Sequence, residues 1–250
     1  MGPDRLRELL ESVKTGEVDV PAAVAELSRL HVVETPGARV DTHRALRQGI
    51  PEVVYGEGKT ASQVVDVIGA LEQAGQHVLV TRVSPELAAA VLEKAPDGVH
   101  EIEARLLWYG PETPERRGRG TIAVVSAGSA DRPIALEAAR VAHYFGNAVD
   151  LIEDVGVAGI HRVLSVQERL RSARALIVVA GMEGALPAVV GGLVDKPVIG
   201  VPTSVGYGVA FGGLTALFGM LTSCSSNVTT VNIDNGFGAA HVATLINRLE

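Results

Sequence analysis

The sequence predicts an α/β protein: a C-terminal three-layer α/β/α domain around a five-stranded parallel sheet, preceded by a small N-terminal α/β domain. Three observations predict it. Hydrophobic residues make up 47% of the 250 residues and aromatics only 4%, so the core must be built from Val, Ala, Leu and Ile. That is the composition of helices packed on a parallel sheet rather than of a β-sandwich. Five apolar runs in the second half are each followed by a helical pattern, and the 28 glycines imply many close backbone approaches.

In chain order, residues 1–35 read as two helices. Leu6, Leu9, Leu10 and Val13 form one apolar stripe, and Val24, Leu27 and Leu30 follow Pro21, a helix-start signal. Residues 36–110 read as the small α/β unit. "EVVYGEG" is a strand and turn, "TASQVVDVIGALEQAG" a helix, "HVLVTRV" a strand, "SPELAAAVLEKAP" a helix and "HEIEARLLWYG" a strand. Residues 111–120, "PETPERRGRG", read as a linker. Its Arg116, Arg117 and Arg119 are expected to be solvated, with a phosphate contact as the alternative.

Residues 121–250 carry the strand–helix rhythm. The strands are "TIAVVSAG", "AVDLIEDV", "ALIVVAG", "PVIGVPT" and "VTTVNID". Helices are expected from Pro133 to Phe145, through "RVLSVQERLRSA", through "ALPAVVGGLV", through the glycine-rich run to Leu221, and at the C-terminus. The run Val205–Leu221 contains five glycines and reads as a buried helix rather than a membrane span.

Several function classes are excluded at this stage. A net charge of −7 argues against general nucleic-acid binding, which needs a basic face. One cysteine excludes an intrachain disulfide and a CxxC metal site. The charged, helical N-terminus does not look like a signal peptide, so a soluble cytoplasmic protein is expected, with no membrane partner.

In such sheets ligands lie beyond the carboxyl ends of the strands. The candidates there are Ser126, Gly128, Ser129 and Asp131 after the first strand, then Asp154, His161 and Arg162 after the second. Glu183 follows the third, Thr203 and Ser204 the fourth, and Asp234 and Asn235 the fifth. The small residues of "SAGSAD", with a helix start behind them, suit a phosphate or ribose without being a dinucleotide fingerprint. Glu183, directly after an apolar strand, is expected to be shielded from solvent and suited to proton transfer. Cys224 reads either as an inert core thiol or as a nucleophile. Its place between the fourth helix and the fifth strand puts it towards the opposite edge of the sheet.

The stretches "VVSAGSADRPIALEAARVAHYFG", "DVGVAGIHRVL", "VVAGMEGALPAVVGGLVDKPVIGVPTSVGYG" and "LTSCSSNVTTVNIDNGFGAA", with "DTHRALRQGIPEVVYGEGKT" at 41–60, resemble the LarB family of nickel-pincer nucleotide cofactor biosynthesis. The C-terminal part is in turn similar to the PurE-type aminoimidazole ribonucleotide carboxylases, through the loop at 126–131, His161–Arg162, Leu186–Pro187 and "PVIGVP". It departs from them at Ala185, where the purine enzymes carry histidine, and in having Cys224.

The resemblance implies an enzyme that carboxylates nicotinic acid adenine dinucleotide on its pyridinium ring, with CO2/bicarbonate as co-substrate. It further implies hydrolysis of the phosphoanhydride to release AMP, Mg2+ as cofactor and a homo-octamer. Cys224 would be the nucleophile and Glu183 the base, with the strand-end residues binding substrate. The alternatives are carboxyl transfer on aminoimidazole ribonucleotide and a non-enzymatic nucleotide-binding module.

Overall fold

The computed structural model describes residues 3–28 and 32–250. It divides into two compact units, Met1–Pro111 and Glu112–Glu250. Leu30 lies outside the described residues.

The first unit runs α1 (Pro3–Thr15), α2 (Val20–Ser28), β1 (Val33–Thr35), β2 (Ala38–Val40), α3 (Arg44–Gln48), β3 (Val53–Tyr55) and α4 (Ala61–Gln73). It continues with β4 (Val78–Thr81), α5 (Pro85–Leu92), β5 (Val99–Glu101) and β6 (Leu106–Tyr109). Leu9 of α1 and Ala23 of α2 are buried together, whereas Leu10 and Val24 are exposed. The main sheet has the order β3-β4-β6-β5, with β3 and β4 parallel and the other pairs antiparallel. The stripe Val64, Ile68 and Leu71 of α4 packs on Val54, Val80 and Leu107 of the sheet. Thr60 starts α4 by accepting the Gln63 backbone N–H, while the Gln63 side chain returns to Thr60 N: a capping box.

Two features of this unit differ from the expectation. "HEIEARLLWYG" is a hairpin of β5 and β6, not one strand. Its turn holds Arg105 in left-handed backbone (φ 55°) without the Gly, Asn or Pro that announces a turn. The short β1–β2 hairpin, turning through Pro36–Gly37, also went unforeseen.

The second unit runs β7 (Thr121–Ser126), α6 (Arg132–Tyr144), β8 (Ala148–Ile152), α7 (Ile160–Ser165), α8 (Gln167–Ser172) and β9 (Ala175–Ala180). It continues with α9 (Leu186–Leu193), β10 (Val198–Pro202), α10 (Leu214–Leu221), β11 (Val228–Thr230) and α11 (Gly236–Arg248). All pairs in the five-stranded sheet are parallel, in the order β11-β10-β9-β7-β8. Every residue of β9 and β10 is buried, as expected of strands covered on both faces. Ala123, Val125, Leu176 and Val178 pack with Leu170 of α8, Leu186 and Val190 of α9 and Met220 of α10. The alternate residues Ile122, Val124, Ile177 and Val179 face the other side, where α6 and α11 pack together. The three-layer expectation and the five parallel strands therefore hold.

The expectation of a buried helix over Val205–Leu221 does not. Residues Phe211, Gly212 and Gly213 have φ of 46°, 62° and 100°, which a right-handed helix cannot accept, so α10 begins only at Leu214. Gly213 is required there, because a Cβ would meet Thr203 O at 2.7 Å. The segment also lies open: Tyr207 is 81% exposed, Val209 74%, Phe211 68%, Phe218 60% and Leu221 61%. The helix expected through "RVLSVQERLRSA" breaks at Val166 into α7 and α8.

Within 111–120, the backbone N–H groups of Arg117 and Gly118 donate to Gly146 O, and that of Arg119 to Asn247 O. Arg117 pairs with Glu115 and Arg119 with Glu250. No helix among the described residues is long and apolar enough to cross a membrane.

Candidate active site

The strand order of the second unit reverses between β7 and β9. In open α/β sheets this is the point where the loops diverge and leave a crevice at the carboxyl ends. Expected residues from the loops after β7, β8 and β10 meet there. Ser126 is fully buried at the end of β7; its carbonyl accepts Val155 N at 3.1 Å, and its Oγ accepts Asp154 N at 3.4 Å. Gly128 and Ser129 lead into one turn of 3-10 helix that ends at Asp131.

Asp131 is 4% exposed. Thr203 Oγ1, beyond β10, donates to its Oδ1 at 2.7 Å, Gly128 N donates to its Oδ2 at 3.0 Å, and Gly181 N, beyond β9, donates as well. One carboxylate thus ties together the loops of β7, β9 and β10. Burial pushes the Asp131 carboxyl above its ordinary value, and nearby Asp234 pushes the same way, while the three hydrogen bonds oppose them. Asp131, expected to contact substrate, instead spends its oxygens on the scaffold.

A stability prediction follows. Asp131→Ala leaves two N–H groups and a hydroxyl without their acceptor and is expected to cost the second unit about 2–3 kcal/mol in urea unfolding. Asp131→Asn should cost about 1 kcal/mol or less, because its amide can still accept from N–H and donate to Thr203 Oγ1. The folded pKa is raised, so folded protein binds more protons than unfolded just above the ordinary carboxylate value. Stability from this group therefore falls as pH rises through that window and is level above it. The slope should disappear in Asp131→Asn; an unchanged slope contradicts the assignment.

Around this centre, Asp234 Oδ1 accepts Ser204 N at 2.8 Å, and Asp234 N donates to Pro202 O at 2.8 Å, which closes the β10 and β11 loops on each other. Asn235 caps α11 by accepting Gly238 N at 2.8 Å. Arg162 donates to both Asp154 O and Oδ1 at 2.9 Å, while His161 stands exposed on the first turn of α7. Asp154, Met182 and Asp234 all hold positive φ (56°, 53° and 54°), each just beyond a strand end. Such strain persists where surroundings over-determine the backbone, commonly at functional sites. Met182 carried no sequence signal for this.

Two expected residues differ from the expectation in exposure. Glu183 is exposed rather than shielded. Its loop turns outward through Met182 and Gly184, and its carbonyl rests on α10, where a Cβ on Gly219 would meet it at 2.6 Å. Cys224 is exposed as well, so the core-thiol reading falls. It sits after α10, towards the amino edge of the sheet. The eight residues of α10 span about 12 Å. Within one chain this separates Cys224 from the Asp131–Thr203 centre, while Gly219 brings the Glu183 loop onto the last turns before it.

The cysteine loop is nonetheless held firmly. Ser225 Oγ donates to Ala188 O at 2.7 Å, and Asn227 Nδ2 donates to Gly191 O, Val194 O and Lys196 O at 3.1, 3.3 and 3.0 Å. Among the described residues no group of three or more His, Cys, Asp or Glu can hold a metal ion.

The fold and its switch-point loops define a doubly wound α/β domain with a ligand crevice at its strand ends, and residues 121–250 match the AIR carboxylase family. Residues 33–111 match the family described as the LarB/PurE-like N-terminal domain. The chain belongs to the LarB family, with a PurE-like C-terminal domain and a carboxylase type of function. It is 35% identical over 258 aligned residues to uncharacterised protein MJ0165 of Methanocaldococcus jannaschii, covering 98% of this chain and 97% of that protein.

Proposed function

We propose that the protein carboxylates the pyridinium ring of nicotinic acid adenine dinucleotide at C5 and hydrolyses its phosphoanhydride. The products are AMP and pyridinium-3,5-biscarboxylic acid mononucleotide, a precursor of the nickel-pincer cofactor. The observation that carries the reading is the open thiol of Cys224 on a loop pinned by Ser225 and Asn227, in a chain with Ala185 where purine carboxylases have histidine.

A pyridinium is electron-poor and does not attack CO2. Addition of the Cys224 thiolate to C4 pushes an electron pair onto the ring nitrogen and leaves a dihydropyridine whose C5 is enamine-like. C5 forms the new bond to CO2, Glu183 takes the C5 proton, and the thiolate leaves C4 as aromaticity returns. No oxidant is consumed. Cysteine suits both halves, because a thiolate is a good nucleophile and a good leaving group. The Gly128–Ser129 turn, His161, Arg162, Ser204 and Asp234 would bound the strand-end crevice in which a phosphorylated substrate would lie, with Ser126 and Asn235 holding its loops from within. Mg2+ would arrive as the counter-ion of the dinucleotide's phosphates rather than in a protein cage.

The two ends of the sheet are joined by assembly. The open apolar side chains of Tyr207, Val209, Phe211, Phe218 and Leu221 form a face suited to burial between subunits, and the family resemblance implies eight of them. In that assembly Cys224 completes a site with elements of a neighbouring subunit.

The test is incubation with nicotinic acid adenine dinucleotide, bicarbonate and Mg2+, with aminoimidazole ribonucleotide in parallel. AMP with a mononucleotide bearing one added carboxyl group is expected from the first, and no turnover from the second. Turnover only of the ribonucleotide would replace this reading with the purine-type reaction.

A further inference from the structure

The N-terminal unit holds a charged constellation that the carboxylase chemistry above does not use. Arg82 immediately follows β4 and Arg105 immediately precedes β6. The registered pair Val80–Leu107, continued by two residues, sets Arg82 across from Arg105, and Val83 N donates to Arg105 O at 2.9 Å. Both arginines hold left-handed backbone, with φ of 56° and 55°. Like charges directly across a strand pair repel, and non-glycine residues at positive φ are strained. The two costs fall on the same two residues, at the carboxyl end of the parallel pair β3–β4.

Beside them runs the loop Gly56–Thr60, which links β3 to α4 and contains Glu57 and the half-buried Lys59. The Tyr55 hydroxyl donates to Glu57. That bond, together with the charges of Arg82 and Arg105, holds the Glu57 carboxyl below its ordinary value. Gly56 N donates to Thr81 O at 2.8 Å, so the backbone of this loop runs directly beside the facing Arg82 and Arg105. The surface here is open: Tyr55 is 51% exposed, Glu57 and Arg105 are exposed, and a Cβ on Gly58 would meet nothing within 4 Å.

We propose that Arg82, Arg105 and Lys59 form an anion-binding site of the N-terminal unit, taking a phosphate or phosphoanhydride group at the carboxyl ends of β3 and β4. A phosphate accepts paired N–H bonds from guanidinium groups and cancels the repulsion between them. Glu57 is the internal carboxylate that such a ligand displaces. The site stands independently of the reading of the C-terminal unit.

The test uses the full chain and inorganic pyrophosphate, with hydrogen exchange read by mass spectrometry. Pyrophosphate should slow exchange at 56–60, 82–84 and 103–106. In the double variant Arg82→Gly, Arg105→Gly that protection should vanish and Kd should rise about tenfold or more. Glycine relieves the left-handed strain, so the double variant should keep or gain Tm, which separates lost binding from lost folding. Protection that survives in the double variant, or that is confined to 126–131 and 181–184, would overturn the assignment. The latter outcome would leave the carboxylase reading untouched.

Discussion

Cys224→Ser is expected to lower carboxylation by about 10^4-fold or more, with Tm and dinucleotide binding close to those of the parent protein. The thiol is exposed, so the exchange of sulfur for oxygen creates no cavity and buries no polar group. The loop's anchors, Ser225 on Ala188 O and Asn227 on three carbonyls, are untouched. What is lost is chemical. A hydroxyl at neutral pH does not add to C4 of the ring, and without that addition C5 never becomes nucleophilic. Steady-state rates, with melting curves of both proteins, check this. A variant that still carboxylates at the parent rate would sink covalent catalysis and return Cys224 to an incidental surface thiol.

The second large effect is expected at Glu183. Removing a general base costs typically 10^2–10^4-fold, so Glu183→Gln should reduce carboxylation by about 10^3-fold. Fold and assembly should persist, since Glu183 touches α10 through its backbone carbonyl, which glutamine retains. The two variants should differ in what they accumulate. Thiolate addition needs no base, so Glu183→Gln should retain substrate-derived mass on the peptide containing Cys224, whereas Cys224→Ser cannot. Unchanged carboxylation in Glu183→Gln would remove this residue as the base.

The sheet of the second unit was legible because parallel strands covered on both faces leave a plain trace. The runs at 121–126, 175–180 and 198–202 are almost wholly buried, and the first two are followed by a proline at a helix start: Pro133 in α6, Pro187 in α9. The residues beyond each strand were legible for the same reason. What each of them does was not. Asp131 reads as a ligand contact, yet its oxygens hold the scaffold, because a hydrogen bond to Thr203, 72 residues away, leaves no local pattern; the cap Asn235 makes on Gly238 N is local and was open to reading as a helix start. The run Val205–Leu221 read as a buried helix on hydrophobicity alone. Periodicity could not show that Gly212 and Gly213 adopt positive φ, nor that its large side chains face outward in one chain. In the first unit the strands are three or four residues long and one turn contains Arg105, so neither alternation nor turn chemistry marked the β5–β6 hairpin.

The position of Cys224 is where sequence and structure reinforce each other. Chain order set it away from the strand ends; the structure keeps it there and makes it accessible. The family membership supplies the carboxylase type of reaction, and the large apolar side chains along 207–221 lie exposed in the single chain.

The most direct measurement is the fate of isotopically labelled bicarbonate in a reaction with nicotinic acid adenine dinucleotide. The account predicts label at C5 of the released mononucleotide, in step with AMP formation, and none with Cys224→Ser. AMP without label in the ring, or label appearing at the same rate in Cys224→Ser, would contradict it.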